Sequence, residues 1–283
     1  MYKRLQIDQK IRIDALYTLF SDTREPGYSF EGERHKFWEI VCVLEGKVGV
    51  ASDNDLYTLS EGQAVIHSPM EFHNIWSENL KNTVFIFSFA GKMPDLEHKV
   101  YNFGAYERKI ISEIIEQYPK TFEYSGLLMK RIKKGMENEA EKTVKKLEYF
   151  IASLISNSQA DILDLKSKSA QNYLNIISVL NNNININLTI EEIADLCNMS
   201  QSNLKKTFRK YSGVGIIKYF NELKIEKAQK LLNSGYTVKE TAAALGYSDQ
   251  NYFSVVFKRT VGYSPIKLKT KNWYWHKWQF DIK

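Results

Sequence analysis

Two stretches near the C-terminal end of the 283-residue chain align with one another, and this duplication limits the fold more than any other feature. The first is LTIEEIADLCNMSQSNLKKTFRKYSG (Leu188–Gly213); the second is YTVKETAAALGYSDQNYFSVVFKRTVG (Tyr236–Gly262). Thr189, Ala194 and Ser200 meet their counterparts 48 residues on, at Thr237, Ala242 and Ser248. After one inserted residue the offset is 49, which pairs Leu204 with Phe253, Phe208 with Phe257 and Gly213 with Gly262. A solenoid needs at least three copies to bury a continuous core, so two copies indicate a duplicated supersecondary unit.

Each copy starts with a capping box. Thr189 with Glu192, and Thr237 with Glu240, set a hydroxyl and a carboxylate three residues apart, where each satisfies a free N–H at a helix start. Apolar residues follow at helical spacing: Ile190, Ile193, Ala194 and Cys197, then Val238, Ala242 and Leu245. Asn198 and Gly246 are suited to the left-handed conformation that ends a helix. Ser200 and Ser248 then stand where a second helix needs a cap. That helix buries Leu204 and Phe208, or Phe253 and Phe257, so each copy reads as a helix-turn-helix. The outward face carries Gln201, Ser202, Lys205, Lys206 and Arg209 in the first copy, and Gln250, Asn251, Val255 and Lys258 in the second. Amides, hydroxyls and long cations on one face can meet base edges and phosphates together. Between the copies, Gly215–Gly235 carries an apolar stripe long enough for one rigid linking helix, which would fix the spacing of the two readers.

Charge follows the same division. From Ala170 onward there are 16 Lys/Arg against 8 Asp/Glu, a net of +8; the whole chain is +6, so the remainder is −2. A basic C-terminal third points to a polyanionic partner for that end. Cys42 and Cys197 lie far apart without metal-type spacing and read as buried thiols in a reducing compartment. No apolar run reaches the roughly 20 residues needed to span a bilayer, and the charged start MYKRLQIDQK does not resemble a signal peptide. A cytoplasmic location, without membrane contact, is expected.

The segment from Gln171 to Lys269 resembles the AraC/XylS family of bacterial transcription regulators, most specifically over LGYSDQNYFSVVFKRTVGYSP (Leu245–Pro265). The resemblance implies a seven-helix domain that reads two adjacent major grooves of double-stranded DNA, with Ser202, Lys205, Lys206, Gln250, Asn251 and Val255 at the base-reading positions. Lys224 stands where this family commonly has Arg, and Leu268–Lys269 replaces an aromatic–Arg pair. Lys224 is expected to keep a phosphate contact as a point charge.

The N-terminal part reads as short strands: FWEIVCVL, KVGVAS, LYTL, QAVIH and TVFIFSF, broken by turn residues. Such a series suggests a small barrel or double sheet. ERHKFWEIVCVLEGKVGV followed by LSEGQAVIHSPMEFHN resembles the cupin-like sensory domain of the same family. The fold class expected is therefore α+β: a cupin-like jelly-roll barrel with helices, then an all-α domain with two helix-turn-helix motifs. The resemblance implies a small-molecule effector, such as a sugar, held near His35, Trp38, Glu39 and His73. Glu33, His35, Glu39 and His73 also stand near the metal positions of cupins, with Glu33 in place of a histidine. Three readings stay open: pocket residues, packing residues, or a metal site. A barrel without metal or cofactor, and without catalysis, is the expectation; an enzymatic barrel fused to a DNA reader is the alternative.

After the barrel, Tyr106–Tyr118 reads as a helix. Ala140, Val144, Leu147, Ile151 and Leu154 repeat at 4-3 spacing, the seam of a helical pair. The partner is either a second copy, giving a homodimer, or the chain's own core. The domains expected are a barrel over 1–97, a dimerising helical segment over 98–156, a linker over 157–169, the DNA-binding domain over 170–270 and an aromatic tail over 271–283. A transcription activator engaging RNA polymerase is the resulting expectation; a polymerase-interaction module merely anchored on DNA is a second.

Overall fold

The computed structural model describes residues 5–53, 55–77, 80–96, 99–157, 163–164 and 167–270; the aromatic tail lies outside them. The chain divides into two units, Met1–Lys166 and Ser167–Lys283.

The first unit is a sandwich of two antiparallel sheets with a helical pair. Its strands are β1 (Arg12–Arg24), β2 (Trp38–Glu45), β3 (Lys47–Ser52), β4 (Asp55–Ser60), β5 (Gln63–His67), β6 (His73–Trp76), β7 (Asn82–Lys92), β8 (Val100–Asn102), β9 (Phe122–Ser125), β10 (Leu128–Ile132) and β11 (Leu163–Asp164). One sheet runs β8-β5-β2-β7-β1-β10-β9 and the other β11-β4-β3-β6. β11 falls in the segment expected to be linker. Its backbone pairs Leu163 with Thr58 and Asp164 with Tyr57, closing the edge that β4 would otherwise leave open.

Strands β2 and β7 are buried on both faces, and the two-residue period sorts their side chains. Val41, Val43, Val84 and Ile86 face the space between the sheets, with Val48, Val50, Leu59, Val65 and Ile75. Ile40, Cys42, Phe85, Phe87 and Phe89 face the other way, against helices α1 (Ala105–Thr121) and α2 (Glu137–Ser156). The 4-3 stripe of α2 closes this second core: Ala140, Leu147, Ile151 and Leu154 are buried, with Val144 packed against them. The stripe is thus consumed within one chain, which removes it as a seam between subunits. Strand β1 has no clean alternation because register shifts fall between Ile13 and Ala15 and between Leu16 and Thr18. At the first shift the Ile13 N–H donates to the buried Glu148 carboxylate of α2 at 2.9 Å.

The second unit contains α3 (Lys168–Asn182), α4 (Ile190–Leu196), α5 (Gln201–Ser212), α6 (Ile216–Asn233), α7 (Val238–Ala244), α8 (Gln250–Val261) and α9 (Pro265–Thr270). Among the described residues these are seven helices, the number expected. Both capping boxes form: Thr189 with Glu192, and Thr237 with Glu240, exchange hydrogen bonds in each direction. Asn198 (φ 53°) and Gly246 (φ 76°) make the left-handed turns. Ser200 caps α5, accepting from the Asn203 N–H at 3.3 Å. Ser248 does not cap α8; Asp249 does, accepting from the Asn251 N–H at 2.7 Å. The inserted residue explains the difference, since at the 49-residue offset the counterpart of Ser200 is Asp249.

Lys224 also departs from expectation. It is 1% exposed, and its ammonium donates to Ile186 O (2.6 Å), Asn187 Oδ1 (2.7 Å) and Leu245 O (2.7 Å). Its three donors thus have three acceptors, and the rings of Phe220 and Tyr247 flank it. Burial lowers its pKa to about 8. A side chain so enclosed makes no phosphate contact. It ties the linking helix α6 to the loop before α4 and to the turn after α7. Gly246 belongs to the same junction: a Cβ there would lie 2.4 Å from Asn185 O, and the Asn187 amide donates to Gly246 O at 2.9 Å.

Two stability predictions follow from these contacts, both readable by urea denaturation. Lys224→Met, which leaves acceptors without donors, lowers stability by about 1–3 kcal/mol. Asp249→Ala costs about 1 kcal/mol through loss of the cap, whereas Ser248→Ala changes stability by less than about 0.5 kcal/mol. Equal effects at Ser248 and Asp249 would contradict the assigned cap.

Candidate functional site

In the helical unit, burial of Leu204, Thr207, Phe208 and Tyr211 fixes the rotation of α5. Tyr173, Phe208 and Tyr219 hold it through ring contacts of 5.5 and 5.2 Å. This rotation leaves Gln201, Ser202, Lys205, Lys206 and Arg209 exposed, with the capping Ser200 at the start of the helix. In α8, Phe253, Val256 and Phe257 are buried, leaving Gln250, Asn251, Val255 and Lys258 exposed beside Ser248. Every residue assigned to the DNA-reading faces is therefore open to solvent.

The two faces differ in chemistry. Lys205 and Lys206 in α5 correspond to Ser254 and Val255 in α8. The Ser254 hydroxyl is turned onto its own helix, donating to Gln250 O at 2.9 Å. Val255 is 63% exposed, an apolar residue held out in water. Such a side chain can pack against a thymine methyl but offers no hydrogen bond.

In the sandwich, the alternation that turns Val41, Val65 and Ile75 inward also turns Glu39, His67 and His73 inward, at the ends of β2, β5 and β6. Glu33 is tied to His73 by a pair of backbone hydrogen bonds, Glu33 N–H to His73 O at 3.0 Å and His73 N–H to Glu33 O at 3.1 Å. The result is a polar cluster at one end of an otherwise aliphatic interior. His73 Nε2 lies 3.4 Å from Glu39 Oε1 and 3.9 Å from Glu33 Oε1; His35 Nε2 lies 3.7 Å from Glu39 Oε2. Burial alone would raise the Glu39 carboxyl, but the two imidazoles outweigh it and hold the group below the usual carboxylate range. For His73, burial opposes protonation, yet the adjacent Glu39 charge prevails and raises its pKa. Burial, with the neighbouring Glu39 charge, raises Glu33.

His35, Glu39 and His73, three of the four residues expected in the effector pocket, are brought together. Trp38 is not. It precedes Glu39 on β2, so it faces the opposite way and packs on the core beneath α1 and α2. Two further residues belong to the cluster and were not anticipated. His67 stacks on His73 with ring centroids 4.3 Å apart, and its Nδ1 lies 3.1 Å from Glu71 Oε1. Burial, then the proximity of His73, lowers the His67 pKa. Extending the alternation of QAVIH by one step from Val65 would have revealed His67. Glu71 lies in a turn, where periodicity carries no signal.

Cys42 and Cys197 are both buried free thiols. Among the described residues no helix is long and apolar enough to cross a membrane.

Comparison with known proteins finds a matching family model in each unit. A family model described as the AraC-like ligand binding domain matches residues 16–96, and one described as a helix-turn-helix domain matches residues 193–271. The chain is 26% identical over 268 residues to the HTH-type transcriptional activator RhaR of Enterobacter sp. (strain 638), covering 88% of this chain and 90% of that protein. It is 25% identical over 264 residues to the Msm operon regulatory protein of Streptococcus mutans, with the same two coverages. Over 91 residues, 32% of each chain, identity to the RhaR activator of Cronobacter sakazakii rises to 33%. An AraC-like ligand binding domain and a helix-turn-helix domain are thus matched in this order along one chain, which over most of its length is similar to transcription activators.

Proposed function

We propose that the protein binds a bipartite DNA site by placing α5 and α8 in successive major grooves, and that a small molecule held in the sandwich controls the outcome. The observation that carries this reading is the shared exposure of both recognition faces on helices joined by one continuous α6. At 18 residues, α6 spans about 27 Å, comparable with the roughly 34 Å of one DNA turn. Gln201, Ser202, Lys205 and Lys206 read bases in one groove, and Gln250, Asn251 and Val255 in the next. Arg209 and Lys258 occupy matching places for phosphates, and Ser200 and Ser248 flank the helix starts. The effector contacts His35, Glu39 and His73.

The regulator works in the cytoplasm, where promoter DNA is accessible. It responds by binding alone, without a chemical step, and acts as an activator in contact with RNA polymerase, in keeping with the activators among its relatives. It acts as a homodimer. Since the α2 stripe is internal, the outer face of the helical pair supplies the contact, where exposed Tyr106 and Tyr149 share a hydrogen bond of 2.7 Å.

Selection from random DNA tests the bipartite reading. It should return two conserved blocks with centres about ten base pairs apart; a featureless pool would leave only a polymerase module anchored on DNA. On the selected site, Lys205→Ala or Lys206→Ala should each weaken binding by about 1–3 kcal/mol if the lost contact is to a base. An equal loss on random DNA would reassign these lysines to the phosphates.

A further inference from the structure

The polar cluster has features that neither DNA reading nor effector binding requires. Glu33, His35, Glu39 and His73 each offer one ligand atom, and these atoms all lie within 4.8 Å of one another. Around an ion held at about 2.1 Å by each ligand, donors stand up to about 4.2 Å apart. Small side-chain rotations would therefore close the cluster.

The two imidazoles are held in a manner suited to coordination. His35 Nδ1 lies 2.9 Å from Phe37 O, and His73 Nδ1 lies 3.1 Å from Glu71 O. A backbone carbonyl only accepts, so each Nδ1 carries the proton and donates it. In the neutral ring the other nitrogen, Nε2, presents its lone pair, as metal-ligating histidines do when a carbonyl holds their far side; at His73, whose pKa Glu39 raises, an ion would displace the proton held there. Both Nε2 atoms are buried and without a hydrogen-bond partner among the described residues, although each lies near the Glu39 carboxylate. At 3.7 and 3.4 Å from the Glu39 carboxylate, neither Nε2 forms a hydrogen bond to it; leaving buried polar atoms in this state is costly, and an ion between them would satisfy both. The side chains of His35, Glu39 and His73 are 9%, 12% and 3% exposed, while that of Glu33 is 45% exposed and leaves a route for entry.

From this geometry we propose that the sandwich binds one first-row divalent transition-metal ion through Glu33, His35, Glu39 and His73. Two imidazole nitrogens with two carboxylate oxygens suit iron, cobalt, nickel or zinc. They do not suit magnesium or calcium, which take all-oxygen sets, or copper(I), which prefers thiolates. The ion joins β2 of one sheet to β6 of the other and braces the polar end of the sandwich. This runs against the expectation of a metal-free barrel. It shares residues with the effector site but rests on their geometry alone, so its failure leaves the DNA and effector readings intact.

The test is a Co²⁺ titration of the full chain after treatment with chelator, followed by visible absorption and thermal unfolding. One equivalent should produce d–d bands and raise the unfolding temperature, and Zn²⁺ should displace it with loss of colour. His35→Gln and His73→Gln should abolish both effects with unchanged circular dichroism. Glu33→Gln, at a half-exposed position that folding tolerates, should weaken Co²⁺ binding more than tenfold. Absence of the bands in the unsubstituted chain would overturn the proposal. So would Co²⁺ binding that survives the two histidine substitutions, or, should those variants not fold, binding unchanged in Glu33→Gln.

Discussion

One buried ammonium organises the DNA-binding half of the molecule. Lys224 leaves α6 and bonds at once to the loop that precedes the first helix-turn-helix and to the turn inside the second. An isolated charge in such a place would be prohibitively costly. Here three acceptors take up its three donors, and the lowered pKa, about 8, records what burial still costs. The second reader shares its core with α6, where Phe253 and Phe257 pack with Ile225, Ala228 and Leu232, and Lys224 fixes the loop and the turn beside it. Gly246 extends the junction: only a residue without Cβ lets the second turn approach the Asn185 carbonyl so closely.

The sandwich depends on a different constraint, the two-residue period of strands buried on both faces. Along Ile40–Val43 of β2 and Val84–Phe87 of β7 every residue is committed, to the inter-sheet space or to the helical pair. Nothing in that rule distinguishes Val41 from Glu39, so the step that buries an aliphatic side chain also buries a carboxylate. The cost is met locally, since Glu39 and His73 lie side by side and share each other's charge. A polar cluster thus forms where the hydrophobic pattern ends.

Much of this was legible in the residues, for identifiable reasons. Capping boxes are local chemistry, and Thr189–Glu192 and Thr237–Glu240 form as their spacing requires. The cap of α8 falls one residue beyond Ser248, at Asp249, because the residue inserted into the second copy shifts the repeat. Strand β1 was not legible at all: two register shifts break its alternation, and a carboxylate distant in sequence completes its hydrogen bonding. The stripe on α2 was legible as a stripe, but no sequence pattern states whether a partner helix or the same chain's Phe85, Phe87 and Phe89 will cover it. Trp38 shows the converse, since adjacency to Glu39 in sequence means opposition across the sheet. The position of Lys224 in the sequence does not reveal the carbonyls that surround it.

The inequality of the two reading faces has a geometric consequence. Where α5 presents Lys205 and Lys206, α8 presents a self-bonded Ser254 and an apolar Val255. On the proposed bipartite site, these two faces would meet blocks of unlike sequence. A site read by these two has a head and a tail. On the site proposed above, the asymmetry left by an imperfect duplication would act as a compass, telling one block from the other.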